Sequence, residues 1–161
     1  MKFLSIREYF YRLSNQAIVM VTIALMSVGV AEFSRGLHAW IEDESALVVL
    51  AVVSLLTVVE LTIVNWWFVP ERIRAIRQEF SLGIKLERYA GPVLFRLIFF
   101  VSAIVMQSVG YFLTGHTAFL IVAAAVLAVM LMFWPTRQRA CRELQLKPDQ
   151  RQMVLHDLDM R

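Results

Sequence analysis

The sequence predicts an all-α, polytopic membrane protein: a four-transmembrane-helix bundle made of two hairpins, with short amphipathic helices on the cytoplasmic side. Three observations carry that expectation. Residues 46–69 form a mostly apolar run of 24 residues holding one carboxylate, Glu60, and that is long enough to cross a hydrocarbon core of roughly 30 Å. Hydrophobic residues make up 59% of the chain, where soluble domains hold about 45–50%. Lys and Arg gather beside the apolar runs, as positive-inside topology requires.

Residues 1–16 are expected to form an amphipathic helix, lying in the membrane interface or docked on the bundle. Phe3, Ile6, Phe10 and Leu13 fall on one helical face, with Lys2, Arg7 and Arg12 away from most of it. Ser5-Ile6-Arg7-Glu8 fits a capping box, in which Ser and Glu side chains satisfy orphan amides at a helix start. The first hairpin then occupies residues 17–70. Its first span, 17–33, is near the minimum length, and Ala17, Ala24 and Ala31 recur every seven residues with Ser27 nearby. Small side chains in that register permit close helix contact. Val28-Gly29-Val30-Ala31 loosely resembles a signal-peptide cleavage site. A related apolar segment recurs later, where no signal peptide stands, which favours a retained span.

The following loop has Arg35 as its one basic residue and an acidic run, Glu42-Asp43-Glu44. That run suits capping of the next helix and its positive N-terminal dipole; attraction of cations is the sharper alternative. The second span, 46–69, ends at the interfacial pair Trp66-Trp67. Pro70 is expected to stop the helix.

Residues 71–91 read as a basic cytoplasmic connector holding Arg72, Arg74, Arg77, Lys85 and Arg88. Ile73, Ile76 and Phe80 make an apolar stripe, and Gly83 is the expected break. The second hairpin, 92–135, has spans at 93–113 and 117–134 joined by Thr114-Gly115-His116. A basic cytoplasmic tail, 136–161, follows, with Pro148 placed to begin a short helix. Lys and Arg number three in the N-terminal segment, five in the connector and six in the tail, against one and none in the two remaining loops. Both termini are therefore expected in the cytoplasm, and the location is an inner (cytoplasmic) membrane.

An internal repeat is visible. Phe68-Val69-Pro70-Glu71-Arg72-Ile73-Arg74-Ala75-Ile76-Arg77 and Phe133-Trp134-Pro135-Thr136-Arg137-Gln138-Arg139-Ala140-Cys141-Arg142 share Phe-x-Pro-x-Arg-x-Arg-Ala-x-Arg. Upstream, Ser27-Val28-Gly29 matches Ser108-Val109-Gly110, and Phe10-Tyr11-Arg12-Leu13 resembles Leu94-Phe95-Arg96-Leu97. This reads as a parallel duplication of a hairpin, with convergence at membrane exits as the alternative. The arginines of the two motifs (Arg72, Arg74 and Arg77; Arg137, Arg139 and Arg142) are expected to meet anionic lipid headgroups at about 1 kcal/mol each. Docking of a partner on these basic collars is the sharper reading. With the prolines aligned, Glu60 falls opposite Ala125, so the carboxylate belongs to one hairpin. The fourth span is alanine-rich, as a tightly packed structural helix would be.

Glu60 anchors the one buried constellation. A charge at that depth costs about 2.5–3.5 kcal/mol, so it needs protein, water or a partner. Thr57 and Ser54 lie one and two turns away on nearly the same face. In the third span Arg96, Ala103, Gln107 and Gly110 make one stripe of polar and small residues. At 1.5 Å per residue, Glu60 stands about 15 Å from Pro70 and Arg96 about 6 Å from Pro92. A Glu60–Arg96 pair is expected, with Gln107 as fallback partner and snorkelling of Arg96 to the headgroups as the alternative. Glu60 then has three readings: structural glue, a titrating site for proton or cation movement, or a contact with another subunit.

Chemistry is otherwise sparse. The single cysteine, Cys141, excludes an intramolecular disulfide; its place beside the membrane permits palmitoylation, and an inert thiol is the plain alternative. Zinc-protease, nucleophile-elbow and phosphate-loop motifs are missing, so no catalytic residue, metal or cofactor is assigned. His38 and His116 lie at the outer surface and His156 in the tail, with nothing fixing their spacing. A pI near 9.4 invites a nucleic-acid reading, which the distribution of the charges rejects. The function expected is that of a non-enzymatic membrane protein, working as a homo-oligomer or as a subunit of a larger complex. A small proton- or cation-coupled transporter or channel using Glu60 is the rival; a membrane-embedded enzyme acting on lipid comes third.

Overall fold

The computed structural model describes residues 5–34 and 43–156, and among them there is no strand. Half of the expected capping box forms: Ser5 is extended and its Oγ accepts from the Glu8 N–H at 3.2 Å, while the Glu8 carboxylate accepts from Arg12 instead of reaching back to the Ser5 amide. From there α1 runs Ile6–Phe33 without interruption. The expected interfacial helix and the first span are thus one helix of 28 residues, about 42 Å long. Nothing in Ser14-Asn15-Gln16 breaks the ladder, and one face stays buried throughout, through Ile6, Phe10, Leu13, Ala17, Ala24 and Ala31.

The next helix corrects a second expectation. α2 (Asp43–Ile63) passes through a single π turn, Val64–Phe68, into α3 (Val69–Arg77). Pro70 does not stop it. The Val69 N–H bonds to the Val64 carbonyl, five residues back, so the ladder has already slipped by one residue where the proline ring removes a donor. The helix ends only at Gln78. Phe80 leaves the Ile73–Ile76 stripe and is 99% exposed, and Gly83 lies inside the following helix rather than at the break.

That helix, α4 (Leu82–Thr114), carries Pro92 within it and finishes at Gly115, whose φ of 68° is the left-handed cap that glycine takes without a steric penalty. α5 (Ala118–Met132) has 15 residues and is followed by a bend of 79° into α6 (Arg137–Glu143). α7 (Pro148–His156) begins at the expected proline and packs on α6. Among the described residues three helices are long and apolar enough to cross a membrane, or four if α5 and α6 count as one broken span.

α4 is the hub, touching α1, α2, α3 and α5. In its most apolar stretch 56% of residues are buried, against 17% for α1 and 11% for the α2–α3 helix. α1 and α2 therefore turn most of their surface outward. Close approach of α4 to α5 depends on Gly110, where a Cβ would run into the fully buried Phe119 ring.

Candidate functional site

The basic end of the molecule is built around Glu143. α4 brings Tyr89 and Arg96, seven residues apart and hence on one face. α6 brings Arg139 and Glu143 at i,i+4 spacing. The Tyr89 hydroxyl donates to Glu143 Oε2 at 2.9 Å, while Arg96 (3.1 Å) and Arg139 Nε (2.8 Å) donate to Oε1. From α3, Arg77 Nε donates to the Glu143 backbone carbonyl at 2.8 Å. Both guanidiniums also lie against Phe133, with Arg96 Cζ 4.8 Å and Arg139 Cζ 4.3 Å from its ring centroid. Arg139 further donates to the Met132 carbonyl, one of the acceptors that α5 leaves open where it ends.

Burial pushes the Glu143 carboxyl up. The nearby Arg96 charge and the hydrogen bonds from Arg139, Arg96 and Tyr89 outweigh it, holding the group below the ordinary carboxylate value. At pH 7 the cluster is an ionised carboxylate holding two arginine side chains and one phenol. It ties α6 to α4, and through Arg77 to α3.

A second polar seam runs through the apolar layer. Gln107 Nε2 donates to Thr57 Oγ1 at 2.9 Å, joining α4 to α2, and both residues are buried. Ser27 Oγ and Ser108 Oγ lie 3.2 Å apart between α1 and α4; one hydroxyl donates across the gap while the other donates to a carbonyl of its own helix, that of Ala24 or of Ile104. Such bonds add about 0.6 kcal/mol each in bilayers and fix helix register. Two buried oxygens here, Gln107 Oε1 and Ser54 Oγ, lack a partner among the described residues.

The structure does not join Glu60 to Arg96. Arg96 is spent on Glu143, whereas Glu60 is half-buried on α2 and faces Ser102, an exposed residue of α4. Among the described residues no ion pair engages Glu60. Axial height and a shared polar stripe were the basis for the expected pair; the stripes do meet at Thr57 and Gln107, but neither argument fixes the direction in which the Glu60 and Arg96 side chains leave their helices. Snorkelling of Arg96 fails as well, since its side chain is only 7% exposed.

The basic collars divide similarly. Arg72, Arg74 and Arg142 are exposed, Arg77 and Arg139 turn inward to Glu143, and Arg137 lies 5.9 Å from the Phe10 ring. Cys141 is buried, and burial raises its thiol, so the folded chain presents no reactive thiolate there. No group of three His, Cys, Asp or Glu fit to hold a metal occurs among the described residues. His38 and Glu42 lie outside the described residues.

Sequence reasoning missed Glu143 and Tyr89. One signal was present: Glu143 is four residues from Arg139 in an otherwise basic segment, the spacing of a helical ion pair. The chain matches no protein-family model, no curated protein and no solved structure.

Proposed function

We propose that this is a non-enzymatic integral membrane protein that works in an assembly, as a homo-oligomer or as a subunit of a larger membrane complex, and that it assembles through the outer face of α2. One observation carries the reading. Glu60, on the helix that the rest of the chain covers least, meets Ser102 of α4 in a half-open polar spot. A carboxylate left there in lipid costs about 2.5–3.5 kcal/mol, and a polar side chain from a neighbouring helix removes that cost.

The rest of the topology belongs to the same proposal. The arginine-bearing end, with both termini, faces the cytoplasm of an inner membrane. α5 with its bend is the fourth span, and the two hairpins are parallel duplicates. The Ser27–Ser108 contact supports the duplication, because it joins two positions that the repeat equates.

Counting copies per nanodisc by single-molecule photobleaching tests the proposal, with wild type and Glu60→Leu compared. Wild type should show more than one copy, or a stoichiometric co-purifying partner, and Glu60→Leu should lower that occupancy. Single-copy particles without a partner would refute it. If Glu60→Gln abolished ion flux in liposomes while leaving assembly intact, the transporter reading would replace it.

A further inference from the structure

The 79° bend between α5 and α6 swings a row of arginines across the end of an apolar helix. Beneath them lies a cleft of about 810 Å³. Its apolar wall is Leu131, Met132 and Trp134, and its basic wall is Arg139 and Arg142 from α6 with Arg151 from α7. Among the described residues no carboxylate lines it. Met132 is 77% exposed, so the wall opens sideways at the level where α5 leaves the apolar layer.

We propose that this cleft binds one anionic glycerophospholipid, its phosphate between Arg142 and Arg151 and an acyl chain lying along Leu131 and Met132. Arg139 is committed to Glu143, Phe133 and the Met132 carbonyl, so it shapes the wall rather than carrying the ligand. Arg142 and Arg151 enter no ion pair among the described residues. Two guanidiniums from different helices in one cleft repel unless an anion lies between them, and their planar forks match phosphate oxygens. Trp134 stands at the junction, where indoles sit at headgroup depth.

The first exit offers a contrast. Its cleft, about 600 Å³, has Arg72 and Arg88 on its wall, and Arg88 already pairs with Glu79. The basic charge left for a phosphate is smaller there. The proposed site is independent of how many copies assemble.

The test uses the full chain with Trp40, Trp66 and Trp67 changed to Phe, in phosphatidylcholine nanodiscs. Phosphatidylglycerol with brominated acyl chains is added in increasing fraction, and quenching of Trp134 is followed. Quenching should saturate at a low fraction. Arg142→Gln with Arg151→Gln should raise the half-saturating fraction about thirtyfold, the scale of two arginine–headgroup contacts, whereas Arg72→Gln with Arg74→Gln should leave it within about twofold. Quenching that rises linearly, or equal effects of the two double variants, would mean diffuse headgroup attraction and overturn the site. Displacement of the lipid by millimolar inorganic phosphate would overturn the lipid as occupant. Should the triple Trp variant misfold, native mass spectrometry of the wild-type chain and both double variants reads the same retained phosphatidylglycerol.

Discussion

The same ten-residue pattern, Phe-x-Pro-x-Arg-x-Arg-Ala-x-Arg, ends in opposite geometries. At the first exit the helix runs straight through Pro70, because the π turn at Val64–Phe68 absorbs the missing donor and α3 continues α2. At the second exit α5 closes with i−3 bonds from the Phe133 N–H to the Met130 carbonyl and from the Trp134 N–H to the Leu131 carbonyl, and Thr136 becomes the extended cap of a helix turned by 79°. Proline is common to both, so it does not decide. What differs is the neighbours: Trp134 and Thr136 replace Val69 and Glu71. Beyond the motif, Glu143 stands at the position that Gln78 holds after the first motif. A proline removes one bond; whether the helix bends depends on what can hold the bent form.

If Glu143 holds the second exit, its loss should have the largest effect in the molecule. Glu143→Leu strands Arg96 in a site where its side chain is 7% exposed, and removing one partner of a buried pair costs about 3–5 kcal/mol. Gln78→Ala, at the matching position, should stay within about 0.5 kcal/mol, as an exposed substitution does. Reversible unfolding in one detergent, both variants beside wild type, checks the pair. Equal effects would mean that Glu143 is no latch.

Acid should reproduce part of that loss. Because the folded Glu143 is held below its ordinary value of 4.5, its stabilisation is complete above that value and disappears as pH falls through the lowered folded value. Glu143→Gln should flatten the acid limb of the stability curve. Gln78→Glu should not change it.

A third contrast concerns the glycines of the two matching Ser-Val-Gly triplets. Gly110→Ala drives a methyl group into the buried Phe119 ring, and overpacking of this kind costs about 1–3 kcal/mol. At Gly29 nothing lies within 4 Å of the added atom, so Gly29→Ala should be neutral or slightly stabilising through helix propensity. Thermal melts of the two variants in the same detergent decide it.

Much of the fold was legible because it follows from one-dimensional quantities. Apolar length located the long helices, the Ser5–Glu8 spacing gave the first cap, and Gly115 gave the turn between α4 and α5. Seven-residue spacing of Ala17, Ala24 and Ala31 found the buried face of α1. The Thr57–Gln107 contact joins two of the polar residues singled out beforehand, since few polar groups were available to satisfy each other in an apolar layer. Direction around the helix axis was harder. Arg96 and Glu60 have compatible heights but leave their helices toward different neighbours, and Glu143 was hidden by the basic residues around it. Pro70 misled for a related reason. A proline records a lost donor, while the response of the helix depends on contacts from residues far along the chain.

The smallest expected effect isolates the local part of the bend. Thr136 Oγ1 accepts from the Arg139 N–H at 3.2 Å and begins a helix of only seven residues, too short to persist without its cap and its packing. Thr136→Ala should cost about 1 kcal/mol and loosen α6, which spin labels on α5 and α7 would report as a broader distance distribution. Glu71→Ala, at the equivalent position, sits inside a continuous helix whose ladder leaves no such amide to cap, so it should shift stability by less than about 0.5 kcal/mol. Glu71→Thr should likewise fail to bend the first exit, because the π turn upstream has already accommodated Pro70. If that single change did introduce a bend, the capping residue alone would choose between the two geometries, and the Glu143 cluster would be a consequence of the bend rather than what holds it.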